Sequence, residues 1–273
     1  MQSAGNLKEE KRKENQPKVG EPLVKISDHL KNYKNLLKLD EEFGYYLAGL
    51  IEGSGKFNKE ILEIEFDKKD IKTLFWLKKR IRVGTVSIKE EKIKLIIKNK
   101  KGIENIIKLI NGKFLTDVKI KEWKIHEWEK DFNFKILPTF DPSLLQSNSF
   151  LAGYFDTYGK FKIEIEPQIK LESKIEGENL ELIEKIKKKF GGEIVNNKYS
   201  STTMTQARYF IEYFDKYSLC TIKYIEFIKW RDCYRIIQRN EHITQKGIDK
   251  IYNIKTSLEK FTSLKSSETN TPK

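Results

Sequence analysis

The sequence predicts an α+β protein built as two tandem copies of one αββαββα unit, each with an antiparallel sheet covered by helices on one face. The first sign is an internal repeat: "YLAGLIEGSGKF" at 46–57 returns as "FLAGYFDTYGKF" at 150–161, and the same order of segments follows each copy. A second is periodicity. Apolar residues alternate in short runs such as "ILEIEF", as half-buried strands require, and recur at Leu180, Ile183, Ile186 and Phe190, as one helix face requires. The third is size, since 273 residues that are 38% hydrophobic and 12% aromatic suffice for two cores of ordinary domain size.

Residues 1–39 read as a charged arm punctuated by Pro17, Gly20 and Pro22, with a short helix expected over 27–38. The first unit, 40–140, opens on the repeated motif as a helix. It continues with a strand "ILEIEF", a helix "DIKTLFWLKKRI", strands "VGTVSI" and "KIKLIIK", and a helix "IENIIKLI". "DPSLLQSN" at 141–148 is the connector. The second unit, 149–255, repeats the motif helix, then strands "KFKIEIE" and "IKLESKI" and a helix "ENLELIEKIKKKF" stopped by Gly191 and Gly192. Strands around "EIVNN" and "YSSTTMT" and helices at 206–216 and 221–238 complete it. Residues 256–273 are expected to be a flexible tail, rich in Ser, Thr and Lys beyond about 262.

With 53 Lys and Arg against 40 Asp and Glu, the formal net charge is +13, which favours a polyanionic partner because each phosphate contact releases counterions. Cys220 and Cys233, with the scattered His29, His126 and His242, make neither a disulfide framework nor a zinc site and predict a reducing compartment. No apolar run nears the roughly 20 residues of a membrane span, and the amino terminus lacks a signal-peptide core, so no membrane role is expected.

In the motif, Gly49 and Gly53 lie one helical turn apart, and Gly153 with Thr157 repeats the spacing. With Ala48 and Ala152 they predict two helices packed with their backbones nearly touching, while Leu47, Leu50 and Ile51, like Leu151, Tyr154 and Phe155, face the core of their own unit. Two such glycine-ended helices, each leading into a strand, resemble a single-chain, two-repeat LAGLIDADG homing endonuclease or maturase over roughly 40–255. That resemblance implies a pseudo-twofold axis between the units and saddle-shaped antiparallel sheets that read DNA.

The family carries an Asp or Glu just before the final glycine of each motif, where the paired helices end, to gather the metal ions that activate water. Here those positions hold Ser54 and Tyr158, a poor ligand and a phenol that is neutral at pH 7. Acids remain two positions earlier, at Glu52 and Asp156, but two helical steps turn a side chain by roughly 200°. The resemblance also places Lys119 and Lys223 at the family's basic positions near the active centre, with Val118 standing where the family often has proline.

The saddle itself reads as poorly suited to DNA. Between Gly55 and Asp67 there is room only for a very short hairpin, and with Leu62, Ile64 and Phe66 inward, Glu63 and Glu65 face outward. In the second unit Phe161, Ile163 and Ile165 leave Lys162, Glu164 and Glu166 outside, and Pro167 turns the chain at once. Basic residues gather instead on helices and connections: Lys68, Lys69, Lys72, Lys78, Lys79, Arg80 and Arg82; Lys98, Lys100 and Lys101; Lys185, Lys187, Lys188 and Lys189; Lys229, Arg231, Arg235 and Arg239. Interleaved with Trp76, Tyr224, Trp230 and Tyr234, they are read as a nucleic-acid surface suited to folded RNA.

The expected function is therefore a nuclease-inactive protein that binds structured RNA, as a maturase of a group I intron or as a structural part of an organellar ribonucleoprotein such as the mitochondrial ribosome, alongside other subunits. No metal, cofactor or homo-oligomer is required. The alternative is a Mg²⁺-dependent site-specific DNA endonuclease using Glu52 and Asp156; a non-cutting DNA-binding regulator is a third. Richness in Lys, Ile and Asn fits an AT-rich organellar gene, which points to the mitochondrion, with the plastid as the other organelle.

Overall fold

The structure is a computed structural model describing residues 25–27 and 36–263, with side chains as far as Lys260. The first unit contains α1 (Asp40–Ser54), β1 (Gly55–Asn58), β2 (Ile61–Asp67), α2 (Ile71–Ile81), β3 (Thr85–Lys89), β4 (Lys92–Ile97), α3 (Lys100–Ile110), α4 (Val118–Ile125) and α5 (Trp128–Asp131). The second contains α6 (Phe150–Tyr158), β5 (Gly159–Glu164), β6 (Lys170–Ile175), α7 (Leu180–Phe190), β7 (Glu193–Val195), β8 (Lys198–Ser201), α8 (Met204–Lys216), α9 (Lys223–Gln238) and α10 (Gln245–Ser263). Each unit forms one antiparallel four-stranded sheet, and the orders β1-β2-β4-β3 and β5-β6-β8-β7 match strand for strand. This is the tandem α+β architecture the repeat predicts.

Alternation decides which sheet face is buried. Leu62, Ile64 and Phe66 of β2 and Ile93, Leu95 and Ile97 of β4 lie beneath the helices, as do Phe161 and Ile163 of β5. Their polar neighbours form the outer face. The first hairpin turns through Lys59 and Glu60 alone, so it is as short as the sequence implies.

The structure adds one helix where the sequence reading assigns no element, and departs from that reading in two places. The added helix is α4, "VKIKEWKI", whose Trp123 packs against Phe57, Phe114 and Trp128. The tail boundary at 256 falls inside a helix: α10 continues to Ser263 and packs Ile251 and Leu258 into the core. In the arm, residues 28–35 of the helix expected over 27–38 lie outside the described residues, and Leu36–Lys38 form one 3₁₀ turn. Just before them the chain crosses to the second unit, where Ile26 N–H donates to Gln238 Oε1 at 2.7 Å. Among the described residues both cysteines are free thiols, and no helix is long and apolar enough to cross a membrane.

Candidate functional site

The site begins where α1 and α6 meet. A Cβ added at Gly49 would overlap the carbonyl of Phe150, and one added at Gly153 would overlap the carbonyl of Tyr46. The two contacts are reciprocal between matched motif positions, which is the signature of a twofold relation. Gly53 lies against Thr157 in the same way, and Ala48 and Ala152 are fully buried. Close approach brings both helix ends, with their outward-pointing carbonyls, to one point.

At that point stand Ser54 and Tyr158. Ser54 Oγ donates back to Leu50 O at 3.2 Å, and Tyr158 Oη donates across the interface to Gly53 O at 3.0 Å. Burial raises the Tyr158 phenol above its ordinary value, so the ring remains a neutral donor at physiological pH. As ligands for the Mg²⁺ that this fold family implies, the two positions do not fit, since each hydroxyl already serves a helix carbonyl and neither carries charge. Among the described residues no three carboxylate, histidine or cysteine side chains converge on a common metal position.

Glu52 and Asp156 are both buried, Glu52 bonded within its own unit and Asp156 shared between its own unit and the facing motif helix. Glu52 accepts from Leu115 N at 2.9 Å and Thr116 N at 3.0 Å, and also from Thr116 Oγ1. Asp156 accepts from Cys220 N at 2.8 Å, Thr221 Oγ1 at 2.5 Å, and Tyr46 Oη of the opposite unit at 2.8 Å. Desolvation pushes Glu52 up to about 7 against the pull of these donors, and it raises Asp156 too. Both acids thus pin the loops that lead into α4 and α9.

Those two helices deliver the family-like lysines. Lys119 Nζ donates to Gly55 O at 2.7 Å and pairs with Glu122 at 2.6 Å; Lys223 Nζ donates to Asp156 O at 2.7 Å and Thr157 O at 3.1 Å. Each therefore caps the carboxyl end of its own motif helix, where the macrodipole favours a cation. Val118 begins α4, the helical position a proline also suits. Burial holds Lys223 below the ordinary lysine range despite Asp156, Asp70 and Glu226 nearby. A cavity of about 420 Å³ opens beside these groups toward the sheets, lined by Ser54, Tyr158, Lys119, Lys223, Glu63, Glu65, Lys92 and Lys94 among others.

On the outer sheet face, Glu63 and Glu65 do not stand alone. Lys94 pairs with Glu63 at 3.1 Å, and Lys92 lies 3.7 Å from Glu65 and 2.9 Å from Asp67. In the second sheet Lys162 pairs with Glu164 at 2.6 Å and Lys174 with Glu172 at 3.1 Å. The face is an alternating ladder of both signs. Reading β2 by itself missed it, because the lysines come from the neighbouring strand.

The basic residues divide sharply. Lys68, Lys69, Lys72, Lys79, Arg82, Lys98, Lys100, Lys101, Lys187 and Lys188 are exposed, as the surface reading requires. Lys78 and Lys189 are half-buried, and Arg80 is held by Asp40 at 2.5 Å. Lys185 bridges the units through Leu115 O at 2.8 Å. The last group is mostly structural. Arg231 is 2% exposed, clamps Asp215 through two nitrogens and donates to Ser27 O. Lys229 meets Ser257 and Arg235 meets Asp232, while Arg239 is exposed beside Glu241. Trp230 and Tyr234 are buried and Trp76 packs edge-on to Phe43 and Tyr46, which removes all three as stacking platforms and leaves only Tyr224 exposed.

Comparison with known proteins agrees with this architecture. The family model described as LAGLIDADG endonuclease matches residues 149–234. The uncharacterized cox1 intron-2 37.2 kDa protein of Schizosaccharomyces pombe is 38% identical over 245 residues, covering 83% of this chain and 76% of that protein. The probable intron-encoded endonuclease 4 of Neurospora crassa is 24% identical over 264 residues, covering 87% of this chain but 48% of its own length. Among solved structures, I-GzeII in complex with its DNA target superposes with a TM-score of 0.57 at 15% identity over 78% of this chain and 96% of that one. I-SmaMI bound to uncleaved DNA with calcium ions gives 0.58 at 20% identity over 79% and 98%. The repeated motif, the matched sheets, the reciprocal glycine contacts and these relatives together make the chain a member of the LAGLIDADG endonuclease family.

Proposed function

We propose that this protein has lost nuclease activity and binds structured RNA, either as a maturase clamping a group I intron or as a structural component of an organellar ribonucleoprotein such as the mitochondrial ribosome. One observation carries the reading: the side chains at the ends of the paired helices are a serine and a tyrosine whose hydroxyls both bind helix carbonyls. A divalent cation that activates water needs charged oxygen donors there. The remaining acids, Glu52 and Asp156, are engaged by the loops before α4 and α9. The sheet face that would meet a DNA groove is an alternating ladder, while much of the unpaired positive charge lies on the helical back. A mitochondrial location is part of the proposal, supported by the relative named for a cox1 intron.

The test is UV cross-linking in native extract, recovery of the protein and sequencing of the attached RNA. One enriched intron supports the maturase and ribosomal RNA the structural component; recovery of no RNA contradicts the class. A Mg²⁺-dependent endonuclease is the competing reading, favoured by the Neurospora crassa relative's name and by the DNA in the complexes of similar fold. It requires Glu52 and Asp156 to leave their loops.

A further inference from the structure

We propose that the outer face of α2 is the RNA-binding surface, and that it holds an unpaired loop of a folded RNA with a base stacked on Phe75. This rests on the RNA-binding reading above and adds where and how the RNA is held. Lys68, Lys72, Phe75, Lys79 and Arg82 recur at three- and four-residue spacing, which places them along one stripe of the helix and the turn before it. All five are exposed, and Phe75 keeps half its surface in water. Among the described residues no carboxylate pairs with any of the four cations, whereas Lys92, Lys94, Lys119, Lys160 and Lys162 all have acidic partners.

Helix electrostatics account for only part of the stripe. Lys79 and Arg82 sit at the carboxyl end of α2, where cations compensate the dipole, but Lys68 and Lys72 sit at the amino end, where cations are disfavoured. Beyond Arg82 the stripe runs into a groove of about 340 Å³ that Lys108 also lines. The second unit supplies an internal control. On α7 the positions matching Lys72 and Phe75 are Glu181 and Glu184, so the stripe belongs to one copy of a duplicated fold and not to a general excess of lysine.

The chemistry selects the partner. Lysines on either side of an aromatic ring contact phosphates while the ring takes a base face. A duplex interior offers no free base face, whereas loops and bulges of folded RNA do.

The experiment uses the full chain and a 4-thiouridine-labelled transcript of a group I intron and, in parallel, one of ribosomal RNA, with a 30-base-pair DNA duplex as competitor. Binding is followed over a salt series, and the cross-linked peptide is identified by mass spectrometry. Lys72→Glu with Lys79→Glu is expected to weaken binding by tenfold or more and to lower the log–log salt slope by roughly two. Phe75→Ala should weaken it about tenfold with the slope unchanged, and Phe75→Tyr should restore it. Lys187→Glu with Lys188→Glu on α7 makes the same change in net charge and should cost less than threefold; the cross-link should fall within 68–82. Unchanged binding by the α2 variants, an equal loss from the α7 variant, or better binding of the duplex overturns the proposal while leaving the RNA reading to its own test. Wild-type protein that binds neither RNA removes both.

Discussion

Tyr158 lies where two helix carboxyl ends converge, and its hydroxyl solves a local problem by donating to Gly53 O at 3.0 Å. A carboxylate there would need a cation to tolerate the same carbonyl. Removing the hydroxyl with Tyr158→Phe should lower stability by about 1 kcal/mol in urea unfolding, the worth of a partly buried hydrogen bond; no change would mean the contact carries nothing. Glu52 makes a pH prediction. Its folded value of about 7 lies above the ordinary carboxyl value of 4.5, so the native state binds the proton more tightly. The associated stability is fully present below about 4.5 and is lost as pH rises through about 7. Wild type should therefore lose part of its advantage over Glu52→Gln between pH 4.5 and 7.5. A gap that widens with pH would contradict the burial argument. The sequence made the substitutions at 54 and 158 visible because the flanking motif fixes the alignment. It could not show what Glu52 and Asp156 do instead, since Leu115, Thr116, Cys220 and Thr221 lie more than sixty residues away in the chain.

Among the elements, the α1–α6 pair depends on its glycines most directly. Alanine is the better helix former by about 1 kcal/mol, so an ordinary helix would gain from Gly49→Ala. Here the new Cβ meets the Phe150 carbonyl, and a loss of about 3 kcal/mol or more is expected in urea or thermal unfolding, with Gly153→Ala behaving alike. A neutral or stabilising result would mean that the helices do not touch. Helix α9 reverses its sequence reading. A linear run of Lys and Arg with aromatics reads as surface, but α9 is buried on several sides, and Arg231 faces Asp215 in the interior. Arg231→Ala should cost about 3–5 kcal/mol of stability, as breaking a buried pair does, with RNA affinity of the folded fraction unchanged. The strands were easier to read than this helix, because period-2 alternation names the buried face at once, whereas a helix with several apolar sides has no distinct polar one.

For the whole molecule, the two units are joined by more than the motif helices. Asp70, the residue before α2, accepts from Ile222 N at 2.8 Å, and the matched residue before α7, Asn179, donates to Thr116 Oγ1 at 2.9 Å, so each unit holds the other's lysine-bearing loop. Ser149 N–H also donates to Glu42 Oε2 at 3.0 Å. The chain should then unfold in one cooperative transition, with tryptophan fluorescence and far-UV circular dichroism coincident; two separated transitions would contradict this coupling. The duplication and the net charge were legible in the sequence, but where the charge is free was not, because pairing across strands and between units is set by the fold. The most direct measurement of the central claim is Mg²⁺-dependent cleavage of a randomised duplex DNA library, scored by sequencing new ends. The account predicts no breaks above the protein-free background; breaks at a defined sequence, abolished by Glu52→Gln or Asp156→Asn, would contradict it.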